Sequence, residues 1–160
     1  MNILITGAAG FIASNIADAY LAAGHTITII DNLSTGLKKN LPKAAKFYQL
    51  DLRSAAELEK VFATGEFDIV NHHAAQIDVR KSVANPVYDA EVNIIGIINL
   101  LELCRKYPVK KLIFASTGGA IYGEGINLPA DETHPINPEC PYGAAKRTAV
   151  GRYGGALKDV

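Results

Sequence analysis

Thr6-Gly7-Ala8-Ala9-Gly10-Phe11-Ile12-Ala13 is the stretch on which the reading of this chain turns. It follows the apolar, β-branched run Asn2 to Thr6 and leads directly into Phe11 to Ala23, whose apolar residues recur at helical spacing. Strand, glycine turn and helix in immediate succession put a helix N-terminus at the end of a strand. Within the Gly-x-x-Gly-x-x-Ala spacing, Gly7 permits a tight turn and Gly10 lets backbone amides approach a pyrophosphate. Ala13 is small enough for helix and strand to pack closely. The helix N-terminus adds favourable partial positive charge for an anion. Ordinary strand-to-helix turns also use glycine, so the surrounding pattern has to decide.

That pattern is regular. Strand-like runs recur at Ile3 to Thr6, Thr26 to Asp31, Lys46 to Leu50, Asp68 to Asn71 and Lys111 to Ser116. Helical spacing is clearest at Phe11 to Ala23, Ala55 to Ala63 and Val87 to Tyr107, with a last helix starting near Pro141 and Tyr142. The order reads as alternating β and α. Strands joined by crossover helices run parallel, so the expected fold class is α/β, a doubly wound parallel Rossmann sheet, with residues 1–160 as one domain. Two long connections, Asn32 to Lys46 and Glu124 to Glu139, are candidate walls of a site. Gly151, Gly154 and Gly155 predict that the last helix frays early.

Composition narrows the function classes. Hydrophobic residues make up 49% of the 160 and charged residues 20%, as in a globular protein with a real core. Sixteen basic residues balance sixteen acidic ones, so nucleic acid and anionic membranes are not expected partners. Cys104 and Cys140 are far apart and lack metal-ligand spacing, which fits a reducing cytoplasm rather than a disulfide framework. The chain enters its first strand too soon for a secretion signal, and no apolar run reaches membrane-spanning length. His72 and His73 end a strand without a carboxylate ligand pair nearby, so no metal is expected.

Asp31 ends the second strand about twenty residues beyond the glycine turn. A carboxylate there can accept hydrogen bonds from an adenosine ribose and favours NAD over NADP; it can also simply cap the turn that follows. Tyr142 and Lys146 are four residues apart, so on a helix they share a face and can reach one ligand. A free tyrosine titrates near pH ~10 and becomes a base at neutral pH only when positive charge lowers its pKa. Lys146 supplies such a charge, and Pro141 as a first-turn proline would put Tyr142 at the positive end of its helix. Outside a Rossmann pattern the same spacing is usually a surface pair.

Asp31-Asn32-Leu33-Ser34-Thr35-Gly36 resembles the signature after the second strand of UDP-glucose 4-epimerases and their close relatives among the extended short-chain dehydrogenases/reductases. The resemblance continues through Asp51-Leu52-Arg53, His73-Ala74-Ala75-Gln76, Ser82-Val83 with Pro86, Asn93 with Gly96, and Tyr142-Gly143-Ala144-Ala145-Lys146. It implies NAD as cofactor, held by Gly7, Gly10, Phe11, Ile12, Asp31, Asn32, Ser34, Thr35 and Gly36. It puts Asp51 and Leu52 at the adenine and Ala74, Ala75, Gln76 and Asn93 on the nicotinamide side. Read from the residues alone, Asp51 is also a plausible helix N-cap ahead of Ser54, and Ala74-Ala75 could be tight packing.

By the same resemblance Tyr142 takes a proton from the sugar C4 hydroxyl while hydride passes to NAD, and Lys146 also holds the nicotinamide ribose. A Ser or Thr after the fifth strand completes the set. Many relatives carry it at the position of Gly118 here, so Thr117 is the expected hydroxyl, reaching from one residue earlier, with Ser116 as the other choice. Gly118-Gly119 replaces the Asp-Glu pair that related 4,6-dehydratases use to eliminate water. The reaction implied is C4 epimerisation of a UDP-hexose of the UDP-glucose/UDP-galactose type. Apolar surface left exposed by missing elements predicts association into a homodimer or larger assembly through the helices around Val87 and Tyr142. Relatives normally continue for about as long again with a small C-terminal substrate domain, so this chain is expected to lack it. Alternative readings are a related nucleotide-sugar reductase or decarboxylase, or an NAD-binding module without turnover.

Overall fold

The computed structural model of the protein describes residues 1–126 and 128–153. Five parallel strands, β1 (Asn2–Thr6), β2 (Thr26–Ile30), β3 (Lys46–Tyr48), β4 (Ile69–His72) and β5 (Lys111–Phe114), form one sheet in the order β3-β2-β1-β4-β5. Each lies within two residues of its expected position. The helices are α1 (Phe11–Ala22), α2 (Ala55–Gly65), α3 (Val79–Ala84), α4 (Pro86–Ala90), α5 (Gly96–Lys106), α6 (Gly118–Tyr122) and α7 (Pro141–Tyr153). The fraying expected at Gly154 and Gly155 lies outside the described residues.

Alternation of strand residues divides the core. Ile3, Ile5, Ile27 and Ile29 point to one face and pack with Ala13 and Ala17 of α1. Leu4, Ile30 and Val70 point to the other and meet Leu58 and Phe62 of α2 and Leu100 of α5. Strands buried on both faces read as continuous apolar runs, which is why they were legible. Leu58 and Leu100 are fully enclosed, and truncating either to Ala would cost about 2–5 kcal/mol. Ile97, Leu101 and Ala149 join α5 to α7.

Three elements differ from the expected pattern. Between β2 and β3 there is no α-helix, only a 3-10 turn at Lys38–Asn40, so strict β-α alternation fails there. The helix expected from Val87 to Tyr107 starts one residue earlier: Asn85 Oδ1 caps the Tyr88 N–H at 3.1 Å and Pro86 takes the first helical position. Its middle, Glu91–Ile95, is a π-helical turn between α4 and α5. Helix α3 was missed; its signal was Asp78, whose side chain accepts from the Arg80 and Lys81 amides.

Candidate active site

Strand order reverses between β1 and β4, and the turns that follow these two strands touch. Gly7 has φ +76°, and a Cβ there would stand 2.6 Å from the Ala74 amide nitrogen and 2.9 Å from the His73 carbonyl carbon. Only glycine fits this crossing of the two backbones. Beneath it, Thr6 Oγ1 accepts from the Ala74 amide at 3.2 Å and lies 2.7 Å from His72 Nδ1. Burial pulls His72 down to about 3, so its ring is neutral and shares one hydrogen bond with the Thr6 hydroxyl through Nδ1. The carboxyl ends of the sheet are thereby locked together at the point where open α/β sheets form their crevice.

The helix that starts here is open to an anion. Gly10 is the N-cap of α1 without a side-chain cap, the first turn carries no acidic residue, and Ser14 is the first amide bonded back, to Gly10 O at 3.2 Å. The amides of Phe11 and Ile12 therefore precede the first intrahelical bond, and both side chains are exposed. This is the cradle that a pyrophosphate requires.

Asp31, just past β2, is buried and grips both neighbours: Oδ2 accepts from Ala9 N at 3.0 Å and Oδ1 from Leu33 N at 2.7 Å. It thus caps its own turn while remaining beside the glycine turn. The loop after it is tied down by Asn32, whose Oδ1 accepts from Ser34 N at 2.9 Å, and by Leu37 N and Asn40 Nδ2, which both donate to Ala9 O at 2.9 Å. Ser34 and Thr35 are exposed and Gly36 half-buried along it.

Asp51 is not the N-cap of α2; Ser54 holds that position. The Asp51 carboxylate instead accepts from Arg53 N, Nε and NH2 and from Asn32 Nδ2, all within 2.9–3.0 Å. The Arg53 hydrogen bond pulls it down to about 2. Leu52 is buried in the core, with Asn99 Nδ2 on its carbonyl at 2.8 Å. A cleft lined by Asp51, Arg53, Ser54, Glu91 and Ile95 opens on this side.

Beyond β4, Gln76 and Asn93 clasp each other. Gln76 N donates to Asn93 Oδ1 at 3.0 Å, and Asn93 Nδ2 donates to Gln76 O at 2.9 Å. Asn93 sits in the π-helical turn, a distortion frequent at functional positions. Both amides also bond Asp89, a buried carboxylate that no motif in the sequence singled out. Its only sequence signal is the i, i+4 spacing to Asn93.

Thr117, Tyr142 and Lys146 come together at the β5 end of the sheet. Thr117 is the N-cap residue of α6, and its hydroxyl interacts with Tyr142, helping the phenol to ionise. The short helix α6, Gly118–Tyr122, follows directly on Thr117. Gly143 makes the approach possible, because a Cβ there would collide with the Ala120 carbonyl oxygen of α6. Pro141 is the first residue of α7, as expected. The β5–α7 connection is pinned by His134, which is buried, accepts from Ile126 N at 3.3 Å and meets the Tyr122 ring at a tilt, with centroids 5.1 Å apart.

One expectation is corrected here. Tyr142 is pushed above the ordinary phenol value, by burial first and then by the Asp89 charge, with Thr117 opposing. Lys146 does not draw it down, because its ammonium turns to the strand instead: Nζ donates to Ala115 O at 2.9 Å and stands 4.6 Å over the Phe114 ring. Burial lowers Lys146 to about 8. Helical spacing put both side chains on one face without deciding which group each would meet.

The sequence profile of the NAD dependent epimerase/dehydratase family matches residues 3–151. This chain belongs to that family. The family is NAD dependent, and the chain's parallel sheet is Rossmann-like. Over 99% of its length the chain superposes on the crystal structure of Thermus thermophilus UDP-glucose 4-epimerase in complex with NAD, with TM-score 0.93 and 46% identity. The UDP-glucose 4-epimerase of Thermotoga maritima with UDP-glucose superposes equally broadly, with TM-score 0.95 and 43% identity. Both superpositions cover 52% of the larger chain. In sequence the chain is 39% identical over 150 residues to the UDP-glucose 4-epimerase of Mycolicibacterium smegmatis, covering 91% of this chain and 48% of that one. It thus spans about half the length of the family members it matches. Among the described residues no helix is long and apolar enough to cross a membrane, and no three His, Cys, Asp or Glu side chains converge on a metal position.

Proposed function

We propose that this chain is the cofactor-binding half of a nucleotide-sugar 4-epimerase of the UDP-glucose/UDP-galactose type. The observation that carries the reading is the placing of Thr117, Tyr142 and Lys146 on the same carboxyl edge of the sheet as the crossing of Gly7 and Ala74. When bound, NAD supplies a reversible hydride acceptor at the C4 carbon of the sugar.

The chain's own residues do the rest. The first amides of α1, at Phe11 and Ile12, with Gly7 and Gly10 behind them, hold the pyrophosphate. Asp31 accepts from the adenosine ribose, with Asn32, Ser34, Thr35 and Gly36 closing over it, and Asp51 and Leu52 flank the adenine. Ala74, Ala75, Gln76 and Asn93 form the nicotinamide wall. Tyr142 removes the C4 hydroxyl proton, Thr117 hydrogen-bonds that hydroxyl, and Lys146 holds the nicotinamide ribose. Gly118-Gly119 brings no acid/base pair, so the site suits oxidation and return of hydride rather than loss of water. Exposed Val87 and Ile95 on the long helical stretch and Val150 on α7 provide the apolar contact for a homodimer.

Calorimetric titration with NAD, using Asp31→Ala as control, tests the cofactor half. Saturable binding should weaken about tenfold or more when the ribose acceptor is lost. Reduction of bound NAD on adding UDP-glucose, abolished by Tyr142→Phe, tests the chemistry. Binding without any sugar-dependent reduction would favour a cofactor-holding module over an epimerase, and reduction by other nucleotide sugars only would favour the reductase or decarboxylase reading.

A further inference from the structure

Asp89 belongs to none of the motifs, yet at 1% exposure it is more enclosed than Asp31. Its Oδ1 accepts from Gln76 Nε2 at 2.9 Å and from Asn93 Nδ2 at 3.0 Å. None of the ion pairs among the described residues includes it. A buried carboxylate held only by neutral amides is costly, and such groups concentrate where a charge is needed. Helix α4 packs on α7, and the carboxylate acts electrostatically on both Tyr142 and Lys146.

We infer that Asp89 is a positioning residue for the Tyr142–Lys146 pair, its buried carboxylate joining Gln76 and Asn93 into one wall and setting the charge balance on the facing side of α7. The inference rests on the function proposed above for that pair. A negative charge favours the ammonium form of Lys146 and disfavours the phenolate of Tyr142. Burial draws Lys146 down, and Asp89 is the one charge that draws it back. The other ionisable groups facing Lys146 are His72 and the neighbouring His73 after β4, both held below the ordinary histidine value and so neutral, and Tyr142 on its own helix. Tyr142 additionally faces Thr117 and Cys140. The carboxylate that holds Gln76 and Asn93 therefore also acts on Tyr142 and Lys146 across α7.

Asp89→Asn tests this, because the amide oxygen still accepts hydrogen bonds while the charge is gone. Protein labelled with 13C-lysine, its Lys146 signal assigned with Lys146→Arg, is titrated without nucleotide over roughly pH 6 to 11. The Lys146 midpoint should fall by roughly 0.5–1 pH unit in Asp89→Asn and return in Asp89→Glu. Loss of thermal stability with an unchanged midpoint would mean a structural role only and would overturn the inference. If Asp89→Asn does not fold, the wild-type protein decides: the side-chain amide signals of Gln76 and Asn93 should shift at the Lys146 midpoint, and flat signals through that pH overturn it. Since no nucleotide is present, failure of the chain to bind NAD would sink the proposed epimerase half and leave this result standing.

Discussion

Two pairs of glycines stand at the carboxyl edge of the same sheet for opposite reasons. At the β1 turn a Cβ on Gly7 would run into the backbone after β4, and a Cβ on Gly10 would stand 3.1 Å from Gly7 O. At the β5 turn a Cβ on Gly118 or Gly119 would meet nothing within 4 Å. Gly7 is demanded by the protein's own backbone, and Gly10 is tight against it. The second pair leaves open space after Thr117 that the described residues do not fill. A glycine in a motif thus marks closeness in one place and vacancy in the other, and only the neighbours distinguish them.

The sharpest break of this comparison is Gly7→Ala. A methyl group there meets backbone on both sides at a positive φ, so stability should drop by about 2–4 kcal/mol in urea unfolding. A loss below about 1 kcal/mol would mean the β1 and β4 turns can move apart.

Lys146→Met probes the opposite wall. Replacing a buried ammonium with an apolar chain of similar length should raise stability by about 1–3 kcal/mol while weakening NAD binding. A destabilised variant would show that the bond to Ala115 O outweighs the burial cost.

His72 lies beneath the crossing, and its effect is read through pH. Its value falls from 6.5 in the unfolded chain to about 3 in the folded one, so between these limits the unfolded chain binds the extra proton. Its contribution is present above about pH 6.5 and is lost as pH falls toward 3, with a slope of at most about 1.4 kcal/mol per pH unit. His72→Gln should flatten that part of the urea-midpoint profile; an unchanged slope would assign the acid loss to other groups.

The smallest change is expected for Gly119→Ala. With open space around it and a helical position in α6, alanine should be neutral or stabilising by up to about 1 kcal/mol, while any effect on nucleotide-sugar binding should exceed the effect on folding. Destabilisation would mean that the β5 turn is as constrained as the β1 turn.

Legibility followed how local each cause was. The central strands β1, β2 and β4 could be read because both faces are buried, and α1 because its turn and its spacing adjoin. Tyr142 and Lys146 are legible as residues four apart on one helix, and that helix starts at Pro141 as a first-turn proline predicts. By contrast α3 escaped because six residues hold too little periodicity, although Asp78 and the Asn85-Pro86 pair mark its borders. The long connection between β2 and β3 is legible as a loop, but its bonds across to Ala9 join residues far apart in sequence. Asp51 was given a capping role on local grounds, but Arg53 and Asn32 take its oxygens first.

By itself the sequence determined the parallel sheet and the family, because periodicity and motif spacing express backbone geometry over a few residues. Tertiary structure alone decided where the site's charges go. Lys146 turns to Ala115, Tyr142 is raised by burial, and Asp89 becomes the carboxylate facing both, since electrostatics depends on distance and enclosure in space, which no spacing along the chain records.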